Sequence, residues 1–213
     1  MKLPRIRLLD RNKIGEVELQ STYYDVLLSE ILADQDRNVA LRWANKSDVA
    51  TDICPDAIIS TLAQHDFAQS IGFGEVKVGN ESTTKHSVCL DVVQLGAACK
   101  QAIGQANLAG CIAFLIDSFC PSFFMVRKEQ HQFYIMTEIA SLVMAPSLTD
   151  LHTFVTLKSL NMFAKVSQSF WYHCHSVELP VVSDAAASVV PISQVCSKID
   201  KPTSKSRGKA SRY

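Results

Sequence analysis

Six consecutive apolar residues, Cys111 to Ile116, limit what this chain of 213 residues can fold into. A continuous apolar run of this length, shorter than an ordinary helix, is typical of a buried strand. It follows a stretch of about twenty residues after Thr84 in which apolar side chains recur at helical spacing. A helix directly before a buried strand favours an α/β architecture, in which helices flank a central sheet.

Two further stretches have helical periodicity. Residues 21–35 have an apolar stripe at a spacing of three to four residues, after the capping pair Ser21-Thr22. A second stripe begins after Thr149 or Asp150 and predicts a last helix of about 25 residues that ends near His175.

Short apolar segments between these helices predict the strands. Phe123–Val126 and Phe133–Met136 are separated by six mostly polar residues and predict a hairpin. The polar stretch Thr61–Ser70 is interpreted as a linker between two earlier strands. These two strands are Ala57-Ile58-Ile59 and Ile71 to Val78. A further strand, Val39 to Trp43, is predicted before them.

The predicted fold class is therefore α/β, with a central mixed sheet flanked by helices and with extra strands and a long helix in the C-terminal part. Three regions are expected along the chain. Residues 1–20 form a basic N-terminal segment, residues 21–178 a single α/β domain, and residues 179–213 a basic, disordered tail that is rich in Ser, Ala and Pro.

Charge is distributed unevenly although the formal net charge is zero. Residues 1–13 sum to +4 and residues 197–213 to +5, so the middle has ten basic and nineteen acidic residues, a net −9. A domain that binds nucleic acid is usually basic on its binding face. The acidic middle therefore counts against binding to DNA or RNA.

The N-terminal sequence contains no apolar run typical of a signal peptide. The chain also has no apolar run of the roughly 20 residues that are needed to span a bilayer. We therefore expect a nuclear or cytoplasmic protein that is neither secreted nor membrane-spanning and has no membrane partner.

One group of residues suggests chemistry. Pro55-Asp56 precedes Glu75-Val76-Lys77 by nineteen residues, and both segments lie in predicted strands. Side chains alternate between the faces of a strand, so Glu75 and Lys77 should point to the same side. Two carboxylates and a lysine on one sheet face could hold a divalent cation beside a phosphodiester.

This order of elements, with Pro55-Asp56 and Glu75-Val76-Lys77 on neighbouring strands, resembles the PD-(D/E)XK nuclease superfamily, which has a restriction-endonuclease-like core. That core consists of a helix, a three-stranded meander, a second helix and a further strand. The resemblance covers roughly residues 20–120. Gly72–Lys77, the turn Thr84-Lys85-His86 and the helix containing Leu90-Asp91 also resemble an uncharacterised fungal protein family related to that superfamily.

The resemblance implies a metal-dependent nuclease that acts on DNA or RNA. Asp56, Glu75 and the carbonyl of Val76 would bind Mg²⁺ or Mn²⁺, since hard cations prefer oxygen ligands. Lys77 would orient and deprotonate the attacking water or stabilise charge in the transition state. Residues on the two flanking helices are additional candidates for contacts with metal or phosphate: Glu30, Lys85 and Gln94.

The same residues also have a simpler interpretation. Glu75 and Lys77 could be a solvated charge pair on a strand, and Asp56 could be a turn residue. The corresponding functional alternative is a non-catalytic protein-interaction module that keeps the nuclease-like fold. The acidic middle of the chain motivates this alternative.

Overall fold

The computed structural model describes residues 3–8, 13–44, 54–79, 84–129 and 133–175. The tail predicted at 179–213 lies outside these residues. The helices are α1 (Glu16–Glu18), a π-helical segment (Leu19–Tyr24), α2 (Asp25–Leu32), α3 (Lys85–Ala106), α4 (Leu151–Phe154) and α5 (Leu157–His173). The strands are β1 (Val39–Trp43), β2 (Ala57–Ala63), β3 (Asp66–Lys77), β4 (Cys111–Asp117), β5 (Cys120–Lys128) and β6 (Tyr134–Ser141).

The six strands form one sheet in sequence order, from β1 to β6. Neighbouring strands are antiparallel except for β3 and β4, which are parallel. Parallel neighbours need a crossover connection, and α3 provides it by packing along β3, β4 and β5. The predicted α/β class, a mixed central sheet with helices against it, is confirmed.

The sequence at both ends of α3 explains its bounds. The Thr84 hydroxyl accepts a hydrogen bond from the amide of Ser87, and the Ser87 hydroxyl accepts one from the amide of Thr84. Asn107 ends the helix in the left-handed conformation, a role suited to Asn. The predicted helix is therefore confirmed, and its buried face packs on the sheet through Leu95, Ala98, Cys99, Ala102 and Ile103.

The linker predicted at Thr61–Ser70 is wrong. β2 and β3 continue through this stretch and are joined by a two-residue turn, Gln64-His65, with φ of 50° and 66°. Two residues of positive φ between antiparallel strands are typical of a tight hairpin, which usually has Asn or Gly there. The prediction failed because the parts of β2 and β3 in this stretch are largely solvent-exposed, so their sequence is polar although they are strands.

Two predicted helices have different bounds in the structure. The first begins at Glu16 and passes through the π-helical segment before it ends at Leu32. The last is interrupted at Val155-Thr156, where the Thr156 hydroxyl accepts a hydrogen bond from the amide of Ser159. A threonine that caps a new helix competes with continuation of the previous one, so one predicted helix becomes two.

The predicted hairpin is confirmed, since Phe123–Val126 lies in β5 and Tyr134–Met136 in β6, which are antiparallel; Phe133 lies just before β6. Part of the N-terminal segment packs against the C-terminal half of the chain. Leu3 is buried, and the carbonyl of Pro4 accepts a hydrogen bond from the amide of Leu148.

Within the described residues, no helix is long and apolar enough to cross a membrane.

The strand register assigns the side chains to two faces of the sheet. Trp43 lies opposite Ala57, and Ala57 opposite Gly74, so these three residues share one face. The Trp43 indole donates a hydrogen bond to Asp25 of α2, which places α2 on that face. Glu75, adjacent to Gly74 in the strand, points to the other face, where α3 packs.

Candidate functional site

Asp56 and Glu75 are neighbours across β2 and β3. Because Ala57 pairs with Gly74, the antiparallel register places Asp56 directly opposite Glu75. The amide of Val76 donates a hydrogen bond to Asp56 Oδ2 at 2.8 Å, which fixes the carboxylate at the end of β2. The two acids that are nineteen residues apart in sequence thus meet on one sheet face.

Lys77 lies beside Glu75 on the same face. Its Nζ is 2.5 Å from Glu75 Oε1, and the two side chains are only 24% and 17% exposed. An ion pair with so little exposure is screened less by salt than an ordinary surface pair. A solvated pair on a strand surface is therefore not the arrangement that the structure has.

A third carboxylate, which the sequence interpretation missed, comes from α3. Asp91 Oδ2 lies 3.6 Å from Lys77 Nζ, is buried, and has no hydrogen-bond partner. The sequence contained a signal for it, because Asp91 falls between Val88 and Leu95 on the apolar stripe of the helix. An acid at such an inward position usually has a polar partner on the facing element. Asp56, Glu75, Lys77 and Asp91 together are called the carboxylate–lysine cluster below.

The protonation equilibria of the cluster are displaced from their ordinary values. Burial raises the pKa of Glu75 to about 7; the charges of Asp56 and Asp91 add to this, and the hydrogen bond from Lys77 opposes it. Burial lowers the pKa of Lys77, but its hydrogen bond with Glu75 and the three carboxylate charges outweigh burial and raise it overall. Burial also raises the pKa of Asp91. Three carboxylates thus surround one ammonium, and Glu75 exchanges its proton near neutral pH.

The three additional candidates do not join the cluster. Glu30 is exposed on α2, which lies on the opposite face of the sheet from Glu75. Lys85 is exposed in the first turn of α3, and Gln94 is partly buried one turn after Asp91. Among the described residues, none of the three forms a hydrogen bond or ion pair with the cluster.

The donor atoms of the cluster fit a hard cation in their chemistry. Carboxylate oxygens are the ligands that Mg²⁺ prefers, and Asp91 Oδ2, which faces the Lys77 ammonium at 3.6 Å, lies beside them. In the described part of the chain, no three His, Cys, Asp or Glu residues are arranged as a ready metal site. The nearest cationic group to Glu75 is instead the Lys77 ammonium.

Replacing Glu75 with Gln should remove a pH dependence of folding stability. A carboxyl group whose pKa rises on folding from 4.5 to about 7 binds its proton more tightly in the native state. The resulting stabilisation of the native state is fully present below pH 4.5 and is lost as pH rises towards 7. The free energy of unfolding should therefore fall by about 2 kcal/mol between pH 5 and pH 7. Urea unfolding of wild type and Glu75→Gln across this range measures the difference. Parallel stability curves for the two proteins would contradict the prediction.

Comparison of the chain with protein-family models, with curated proteins and with solved structures finds no match in any of the three. What the cluster does has to be inferred from its own geometry.

Proposed function

We propose that this protein is a metal-dependent nuclease of the PD-(D/E)XK type that hydrolyses phosphodiester bonds in DNA or RNA. The observation that carries the proposal is the placement of Asp56, Glu75 and Lys77 on one face of the adjacent strands β2 and β3. Asp91 of α3 adds a third carboxylate to the same place.

The order of elements supports this proposal. A helix (α2), an antiparallel meander (β1 to β3), a second helix (α3) and a strand parallel to β3 (β4) follow one another along the chain. This is the succession that the nuclease resemblance implies. Folds host many functions, so the site residues and not the fold carry the functional claim.

The cluster divides the chemical roles among its residues. Asp56, Glu75 and the Val76 carbonyl would hold Mg²⁺ or Mn²⁺, which supplies Lewis-acid stabilisation and a more acidic bound water. Lys77 keeps its proton at neutral pH because its pKa is raised, so it stabilises negative charge on the phosphate and does not act as the base. Glu75, with a pKa of about 7, can bind a cation only after it loses its proton.

Replacing Lys77 with Ala should abolish cleavage. Purified wild-type protein with Mg²⁺ or Mn²⁺ is expected to nick plasmid DNA or to degrade RNA, and EDTA should stop the reaction. Removing a charge-stabilising donor from such a site typically lowers the rate by about 10²–10³-fold. Lys165→Ala, at an exposed position of α5, is the matched control and should retain full activity. Wild type without cleavage in either metal, or Lys77→Ala as active as wild type, contradicts the proposal.

The second candidate, a protein-interaction module without catalysis, is favoured by a specific contact. Lys77 is engaged by both Glu75 and Asp91, as expected for a cation that balances buried acids for structural reasons. In this alternative, a protein partner binds equally well after Asp56, Glu75 and Lys77 are replaced. A partner whose binding is lost in those variants would contradict it.

A further inference from the structure

A cationic side chain outside the carboxylate–lysine cluster lies on the same sheet face. Arg42 of β1 pairs with Ile58 of β2, and Asp56 follows two residues away on β2. Directly opposite residues and alternate residues share a face, so Arg42 and Asp56 point to the same side. Arg42 stacks on Phe67, and Phe67 pairs with Leu62, so the guanidinium extends along β2 in the direction away from Asp56.

The Arg42 guanidinium is held by stacking and not by a carboxylate. Its Cζ lies 4.1 Å from the ring centroid of Phe67. Its Nε is buried and has no hydrogen-bond partner, and no ion pair of Arg42 occurs within the described ranges. A buried donor on a charged group is costly when it remains unpaired, so an oxygen ligand would satisfy it.

Two neighbouring side chains complete what is called the Arg42 site here. Ser60 lies opposite Ala40, on the same face as Arg42; it is 1% exposed, and its hydroxyl has no partner. Phe67 is 45% exposed, so much of its ring remains accessible beside the guanidinium. The Arg42 guanidinium offers donors to an anionic oxygen, and Phe67 offers an aromatic surface to a flat ring.

We infer that the Arg42 site binds single-stranded nucleic acid on the same sheet face as the carboxylate–lysine cluster. Arg42 holds a backbone phosphate, and Phe67 stacks on an unpaired base. A single strand is favoured over a duplex because stacking on a protein ring requires an unstacked base. The choice of ligand rests on the proposed function.

The test is binding of a short fluorescent oligothymidylate to the full chain, measured by anisotropy in EDTA across a series of salt concentrations. Arg42→Gln should weaken binding about tenfold and reduce the salt slope by about 0.7, the value for one lost phosphate contact on a single strand. Phe67→Leu should also weaken binding about tenfold while leaving the salt slope unchanged. It tests the inference independently should Arg42→Gln fold poorly.

Arg37→Gln is the matched control. Arg37 also stacks on an aromatic ring, with its Cζ 4.5 Å from the Trp171 centroid, but it is paired with Asp34. This variant should bind the oligonucleotide as wild type does. Wild type that does not bind, Arg42→Gln and Phe67→Leu variants that bind normally, or binding displaced equally well by polyglutamate would each overturn the inference.

The outcome is distinguishable from that of the proposed function. Normal binding by the Arg42 and Phe67 variants, together with cleavage that depends on Lys77, overturns the Arg42 site alone. Weakened binding by both variants, in a wild-type protein that cleaves nothing, establishes the Arg42 site and overturns the nuclease.

Discussion

Replacing Lys77 with Met should destabilise the folded protein by about 3 kcal/mol at pH 8, where Glu75 has lost its proton. Lys77 is the ammonium that contacts both Glu75 and Asp91. Methionine keeps the volume of the aliphatic stem but removes the charge, so three carboxylates remain close together without a cation. Urea denaturation followed by circular dichroism measures the loss.

The pH dependence distinguishes this electrostatic effect from lost packing. At pH 5 Glu75 is protonated in the folded state, so the destabilisation caused by Lys77→Met should shrink to about 1 kcal/mol. Mg²⁺ should partly restore stability at pH 8 if the freed carboxylates bind it, because a ligand of the native state stabilises that state. Lys165→Met, at an exposed position, should change stability by less than about 0.5 kcal/mol. A loss that is equal at pH 5 and pH 8 would indicate packing alone.

The fold was predictable where periodicity and capping agreed. Thr84, the apolar stripe and the apolar run from Cys111 to Ile116 all indicate the same helix followed by a buried strand, and the structure has both. Prediction failed where a local interaction competed with the pattern. The Thr156 cap divided the last helix, and the Gln64-His65 turn closed a hairpin without the usual turn residues.

The candidate site was predictable only within the sheet. Strand alternation placed Glu75 and Lys77 together, but the register that brings Asp56 opposite Glu75 depends on the length of the hairpin. Asp91 and Arg42 come from α3 and β1, and their approach depends on tertiary packing that a single sequence does not specify. For Asp91, the sequence feature that could have predicted a buried acid is its position on the apolar stripe of the helix.

Behind the carboxylate–lysine cluster, Gly74→Ala should cost about 3 kcal/mol of folding stability. Gly74 pairs with both Ala57 and Phe114, and a methyl group at this position would fall within the Phe114 ring. Phe114 is fully buried between the rings of Trp43 and Phe123, so it cannot move aside without disturbing the core. Overpacking of this kind costs typically 1–3 kcal/mol and occasionally more. Chemical denaturation of the variant measures the loss.

A second glycine and a compensating substitution make this prediction specific. Gly104→Ala, in α3, meets no atom within 4 Å and should stabilise the protein by about 0.5–1 kcal/mol, since alanine is the better helix former. Phe114→Leu combined with Gly74→Ala should be less destabilised than the sum of the two single variants, because the smaller side chain leaves room for the methyl group. Additive losses in the double variant would show that the ring of Phe114 is not what requires glycine beside Glu75.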